Sequence, residues 1–360
     1  MYTNPSLVID TDNIEPGEVT WKSPSNLAII KYWGKHGIQL PRNPSISLTL
    51  ENAFTQTRIN YKPKTTETED ISLEFFFHDE PNEAFRTKLL NFLESVRPIF
   101  PFLGQLDLVI QSANSFPHSA GIASSASSMS ALALCLCSME DMFFQSLQDD
   151  VAFDQKASYV ARLGSGSACR SIYPKMALWG EAAGIEQSSN LYATPQADAV
   201  NEVFHSFHDD ILIASQAEKS VSSRAGHALM DNNIYAAPRY QQANERMAQL
   251  RIALQEGDVA TFGTIAENEA LSLHALMMTS EPSYMLMQPN TLQMIQKIRT
   301  YRQDTNNPIY FSLDAGPNLH VLYPESVIHE VRPFIEGELV PLCEEGLWIS
   351  DWVGEGPAQL

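Results

Sequence analysis

The sequence predicts an α+β protein built from two domains. Its 360 residues, 44% of them hydrophobic, are more than one core usually encloses. Strand-like and helix-like patterns mix up to about residue 205, whereas long helical patterns dominate beyond it. That change of texture places the domains at residues 1–205 and 206–360, with a cleft between them as a natural place for a ligand.

The elements follow in order. Strands are expected near "TRINYK", "SLEFFF" and "LDLVI", where apolar residues alternate with polar ones. "AFRTKLLNFLESV" and "SMSALALCLCSM" read as helices, and "FDQKASYVARLGSG" as a third, stopped by Gly164 as a left-handed residue just past its end. "YKPKTTETED" (61–70) reads as an exposed hairpin end or loop and "EQSSNLYATPQADA" (186–199) as a surface loop. In the second half "DILIAS" is a strand. Three helices follow: "RYQQANERMAQLRIALQEG", "DVATFGTIAENEALSLHALMM" with Asp258 as its N-cap, and "NTLQMIQKIRTYR". "IYFSLDAGPNLHVLYP" is strand, tight turn and strand, before a last helix and the strand-like "LWISDWV".

Composition narrows the partners. A net charge of −20 argues against nucleic acid and anionic membranes. The opening residues carry no basic segment followed by an apolar core, and no apolar run is long enough to cross a bilayer. Four cysteines without a C-x-x-C pattern support neither a zinc site nor a redox motif. Reduced thiols in a cytoplasmic protein are expected.

The serine-rich stretch "SFPHSAGIASSASSMSALALCL" (115–136) runs from strand through small residues into an apolar helix. Small residues admit a ligand close to the backbone, and free N–H groups at a helix start suit phosphate. Tight helix packing explains the same composition. The glycine patterns of P-loops and dinucleotide folds are absent.

Four clusters bear on chemistry. "SPSNLAIIKYWGKHG" places Lys31 and Lys35 among Tyr32 and Trp33, either aimed into a pocket or solvated on an edge strand. "RLGSGSACRS" offers Ser165, Ser167 and the fork of Arg170, suited to carboxylate or phosphate. "EKSVSSRAGH" sets Ser222, Ser223 and Arg224 after a strand, as an anion site or as a helix N-cap with an exposed arginine. In "SLDAGPNLH", Asp314 stands where a strand turns, a structural turn or a base for a hydroxyl nucleophile.

"NLAIIKYWGK", "FPHSAGIASSAS", "GSGSACRS", "SSRAG" and "DAGPN" occur in the order found in diphosphomevalonate decarboxylases of the GHMP kinase superfamily, and the chain resembles that family from about Ser23 to Pro357. The resemblance implies a two-domain GHMP kinase fold, with an N-terminal domain like ribosomal protein S5 domain 2 and a ferredoxin-like C-terminal domain. It implies ATP-dependent decarboxylation of mevalonate 5-diphosphate to isopentenyl diphosphate, with Mg²⁺ accompanying ATP and family members commonly dimers.

By motif position, Asp314, Lys31 and Arg170 match the family's catalytic aspartate, the lysine near the reacting centre and the arginine associated with the substrate carboxylate. Tyr32, Lys35, Ser165, Ser167, Ser223 and Arg224 match positions that bind the diphosphate or line the pocket. Ser119, Gly121, Ser124, Ser125 and Ser127 fall in the phosphate loop expected to hold ATP. No motif marks the adenine pocket or the Mg²⁺ ligands. Other readings stay open: a mevalonate or phosphomevalonate 3-kinase or decarboxylase of the same superfamily, or a catalytically inactive ligand-sensing homologue. A serine hydrolase lacks its G-x-S-x-G elbow.

Overall fold

In the computed structural model, residues 1–360 are described apart from 66, 67, 69, 118–121 and 218–220. The N-terminal part runs β1 (Gly17–Ala28), β2 (Lys35–His36), β3 (Leu40–Pro41), β4 (Ser45–Pro63), β5 (Ser72–Phe77), β6 (Glu80–Pro81), α1 (Glu83–Val96) and β7 (Leu106–Asn114). It continues through α2 (Ser124–Phe144), α3 (Asp150–Gly164), β8 (Met176–Trp179) and β9 (Ala193–Pro195). The C-terminal part holds β10 (His208–Leu212), α4 (Ser223–Leu229), α5 (Ala236–Glu256), α6 (Val259–Met278) and α7 (Pro289–Thr305). β11 (Tyr310–Leu313), β12 (Leu319–Tyr323), α8 (Ile328–Phe334), β13 (Trp348–Ile349) and β14 (Ala358–Gln359) complete it.

β4 is the spine of the first sheet. It pairs with β8 at its start, with β1 along most of its length and with β7 at its end; β5 then lies parallel to β7. The second sheet runs β11-β12-β10-β13, antiparallel throughout.

The Ala131–Met139 run of α2 is buried on every side, because the helix lies between the first sheet and α3. Its serines let it approach the sheet closely. The Ser130 hydroxyl meets Ser23 of β1 at 2.5 Å, and Ser127 meets Thr55 of β4 at 2.6 Å. Cys135 and Cys137 disappear into the same core.

Three expectations change. The 186–199 segment includes β9, whose Ala193 is buried and donates its N–H to Ser158 Oγ, so it is not wholly a surface loop. Gly164 ends α3 without a left-handed φ. Its missing Cβ instead leaves room for Met129 and Phe92. Lys31 stands on no edge strand, since the β1 ladder stops at Ala28 and Lys31 is buried, whereas Lys35 opens the short β2 paired with β3.

The C-terminal tail returns to the first sheet. β14 pairs with β1 through Trp21 and Lys22, and the Asp351 carboxylate accepts the N–H groups of Glu51, Asn52 and Ala53.

Candidate active site

A cleft of about 920 Å³ opens where the two parts meet. The described residues that line it include five cationic ones, Lys31, Lys35, Lys88, Arg170 and Arg224, and a single carboxylate, Asp314. In a chain of charge −20, such a concentration of cations is a local anion trap.

The centre of the cleft is an ion pair between the parts. Lys31, in the segment after β1, places Nζ 2.9 Å from Asp314 Oδ1. Asp314 follows β11 and turns back through its own carbonyl, which accepts the N–H of Gly316 at 2.8 Å. The Lys31 side chain is 2% exposed and that of Asp314 22%, so the carboxylate is the partner that reaches the open space. Lys31 is fixed at its backbone as well. Its N–H donates to Glu269 Oε2 at 2.8 Å, and its carbonyl accepts from Asn43 Nδ2 at 3.2 Å.

Beside this pair lies Arg170, carried by the short helical turn 166–172 after α3. Its Nε donates to Ser47 Oγ at 3.0 Å and its Nη2 to Asn26 Oδ1 at 3.3 Å. Nη1 is buried without a partner. A buried guanidinium donor without an acceptor is costly unless a ligand supplies one. Burial pushes the Arg170 side chain's pKa down, opposed by the nearby Cys169 and Asp314.

A second cationic corner is formed by Lys35 and Arg224. Burial and the neighbouring Arg224 charge both push the Lys35 ammonium down. Ser222 caps α4 by accepting the N–H of Ala225 at 3.2 Å, which leaves Ser223 and Arg224 exposed to the cleft. The N-cap and anion-site readings of this cluster are therefore compatible. His227, one turn along, packs against Tyr32 and Trp33 and accepts the Gly34 N–H on Nδ1 at 3.0 Å. Burial, and then Lys35, push this histidine down to about 3.

At the other end α2 begins at Ala123, which has φ 44° and ψ 38°, and no side chain caps the helix. Ser124 and Ser125, in its first turn, line the wall of the cleft, where a helix start carries partial positive charge. The Ser125 hydroxyl lies 3.2 Å from that of Ser165.

The cleft thus gathers Lys31, Tyr32, Lys35, Ser124, Ser125, Ser165, Ser167, Arg170, Ser223, Arg224 and Asp314. Ser127 is a correction to the phosphate-loop expectation. It is fully buried and its hydroxyl is spent on Thr55 and on the Ser124 carbonyl, because it faces the sheet one turn into α2. Ser119 and Gly121, with His118, lie outside the described residues.

Sequence reasoning passed over Asn26, His227, Glu269 and His274. The last two stand on the buried face of α6 between Phe262, Ala266, Ala270, Leu273 and Met277. A charged residue on an apolar helical stripe was the available signal.

The fold and this cleft define a two-domain protein of the GHMP kinase type, with an uncapped helix start at one end of the site and a lysine–aspartate pair at the other. Residues 23–191 match the family model of the diphosphomevalonate decarboxylase-like N-terminal domain, and residues 210–344 that of the mevalonate 5-diphosphate decarboxylase C-terminal domain. The chain belongs to the diphosphomevalonate decarboxylase family. A diphosphomevalonate decarboxylase of Aspergillus fumigatus is 29% identical over 346 residues, covering 90% of this chain and 81% of the relative. The crystal structure of mevalonate diphosphate decarboxylase from Staphylococcus aureus superposes with a TM-score of 0.81 at 28% identity, covering 96% of this chain and 98% of the other. A structure described as MDDEF in complex with MVAPP, AMPPCP and magnesium gives 0.80 at 25% identity, covering 96% and 99%.

Proposed function

We infer that the chain catalyses ATP-dependent decarboxylation of mevalonate 5-diphosphate to isopentenyl diphosphate, with release of ADP, phosphate and CO₂, in the mevalonate pathway of isoprenoid biosynthesis. The observation that carries this reading is the cleft that holds the Lys31–Asp314 pair among the cations Lys35, Lys88, Arg170 and Arg224. Membership of the family supports it, as does the relative whose complex holds MVAPP, AMPPCP and magnesium.

In this reading Asp314 accepts the proton of the substrate's 3-hydroxyl, and Lys31 balances the carboxylate's charge and fixes its direction. ATP, with Mg²⁺, supplies the phosphoryl group that turns the 3-oxygen into a leaving group. As that phosphate departs, carbon 3 becomes electron-poor, and loss of CO₂ delivers the electron pair of the new double bond. The unpartnered Nη1 of Arg170 takes the substrate carboxylate. Lys35, Ser223 and Arg224 take the 5-diphosphate, beside Tyr32, Ser165 and Ser167. Ser124, Ser125 and the open start of α2 fit the triphosphate; the resemblance adds Ser119 and Gly121 to that loop. With Asp314 the one carboxylate among the described lining residues, Mg²⁺ would rest mainly on phosphate oxygens and water.

The domains are assigned to residues 1–205 and 206–360, a division supported by the gap between the two family matches, 191 to 210. A ferredoxin-like C-terminal domain is supported by the four-stranded antiparallel sheet with its helices. A reducing, cytoplasmic setting is supported by the four buried cysteines, which stand as free thiols; among the described residues no helix is long and apolar enough to cross a membrane. The net charge of −20 argues against nucleic acid as a partner, and the resemblance supports a homodimer, to be checked by sedimentation.

The deciding experiment supplies ATP with mevalonate, its 5-phosphate or its 5-diphosphate and measures ADP and CO₂. Turnover to both products with the diphosphate alone is expected. Preference for either other form, or ADP without CO₂, overturns the assignment.

A further inference from the structure

Lys31 must hold its ammonium against Asp314, yet residues 31–34 belong to no helix or strand. No ladder fixes the segment, so something else sets the distance. The Lys31 N–H donates to Glu269 on α6, and Glu269 is completely buried. Arg239 of α5 grips the same carboxylate with both terminal nitrogens, at 2.7 and 2.5 Å, and Arg246 reaches Oε1 at 2.8 Å. Arg239 Nη2 also lies 3.4 Å from the Lys31 carbonyl. Burial alone would push the Glu269 carboxyl up; the two arginines and the Lys31 N–H hold it below its ordinary value.

A buried charge cluster of this kind is a poor way to gain stability, because desolvating its members offsets most of their attraction. Its geometry has a better use. Five residues further along α6, His274 Nε2 sits 3.1 Å from the carbonyl oxygen of Asp314. One rigid helix therefore touches the backbone at both ends of the Lys31–Asp314 pair, its two contact points about 7.5 Å apart along the axis.

We propose that Glu269, clamped by Arg239, is a positioning residue that sets Lys31 at its working distance from Asp314, so that α6 acts as the ruler of the reacting centre. The proposal rests on the reading of Lys31 and Asp314 given above.

A double-mutant cycle tests it. Glu269→Gln should lower kcat by about 10- to 100-fold, the loss expected of a displacement near 1 Å, with KM for ATP and for mevalonate diphosphate changed less than about threefold. In a Lys31→Ala background the same change should cost almost nothing further, since there is no ammonium left to place. Glu269→Asp keeps the charge among the arginines and so survives if the glutamine variant does not fold; it should show a smaller loss with the same coupling. Parental kcat in Glu269→Asp, or losses that simply add to those of Lys31→Ala, would overturn the positioning role while leaving Lys31 in the mechanism. Undiminished kcat in Lys31→Ala would overturn the site reading itself, and the positioning role with it.

Discussion

Asp314 is where the chemistry is most exposed to test. Asp314→Asn keeps the shape that faces Lys31 but removes the proton acceptor, so kcat should fall by roughly 10²–10⁴-fold with ATP binding retained; near-parental turnover would exclude it as the base. Arg224 tests the other end of the substrate. A charge-assisted hydrogen bond contributes about 1.5–3 kcal/mol, so Arg224→Leu should weaken mevalonate diphosphate about 10- to 150-fold, narrow its preference over the monophosphate, and leave ATP nearly untouched. Equal weakening of all three mevalonate forms would place Arg224 elsewhere. His227 carries a pH signature. It is held neutral in the fold, its value pushed down to about 3 from 6.5, so between those values the unfolded chain binds the extra proton. Stability is therefore present above pH 6.5 and lost as pH falls below it. From pH 7 to pH 5 the parent should lose about 2 kcal/mol more than His227→Asn, a comparison that urea unfolding can make. His320 has the opposite sign. Burial alone would push it down, but Asp209, 2.7 Å away, holds it up, so its contribution fades only as pH rises.

The serine-rich start of α2 shows what an element-level reading of sequence can and cannot resolve. Phosphate binding and tight packing both account for the composition, and the helix divides its serines between them. Ser124 and Ser125 line the cleft, while Ser127 and Ser130 press on β4 and β1. Only the 100° step per residue separates these faces, and it needs a fixed helix start; Ala123, in a left-handed conformation that its side chain does not favour, gave no signal of where that start falls. Strands and helices with clean periodicity were legible to within a few residues, as "SLEFFF" and Asp258 illustrate. β9 was not, because a three-residue strand carries no period. The motif clusters were legible one by one, but the Glu269–Arg239 clamp joins three segments distant in sequence. Ser124→Ala and Ser125→Ala should each raise the apparent KM for ATP, by about 1 kcal/mol of binding per hydrogen bond lost. Unchanged ATP affinity with poor diphosphate binding would reassign this end of the cleft.

At the scale of the whole molecule, the overall charge of −20 and the cationic cleft make opposite demands on a polyanionic substrate. Binding should depend on salt less through long-range attraction than through the few cations at the site. The two parts are also stitched together by the tail. Asp351 accepts three successive N–H groups at Glu51, Asn52 and Ala53, and the Gly354 N–H donates to the Thr49 carbonyl at 2.8 Å. Asp351→Ala leaves at least the buried Ala53 donor without an acceptor, a cost of about 1–3 kcal/mol that should lower the urea midpoint; an unchanged midpoint would show that water replaces the carboxylate.

The return of β14 to β1 has a consequence in time. Trp21 pairs with Gln359 and Lys22 with Ala358, so the edge of the first sheet waits for residues translated long after it. At about 5–20 residues per second on the ribosome, the partners emerge roughly 20–70 s apart. Throughout that interval the nascent chain carries an open strand margin able to pair with a neighbour on the same polysome. Rapid synthesis should therefore raise the soluble yield of a variant shortened after Gly354 far less than that of the full chain, because only the full chain can cover the margin at Trp21 and Lys22 once its end arrives.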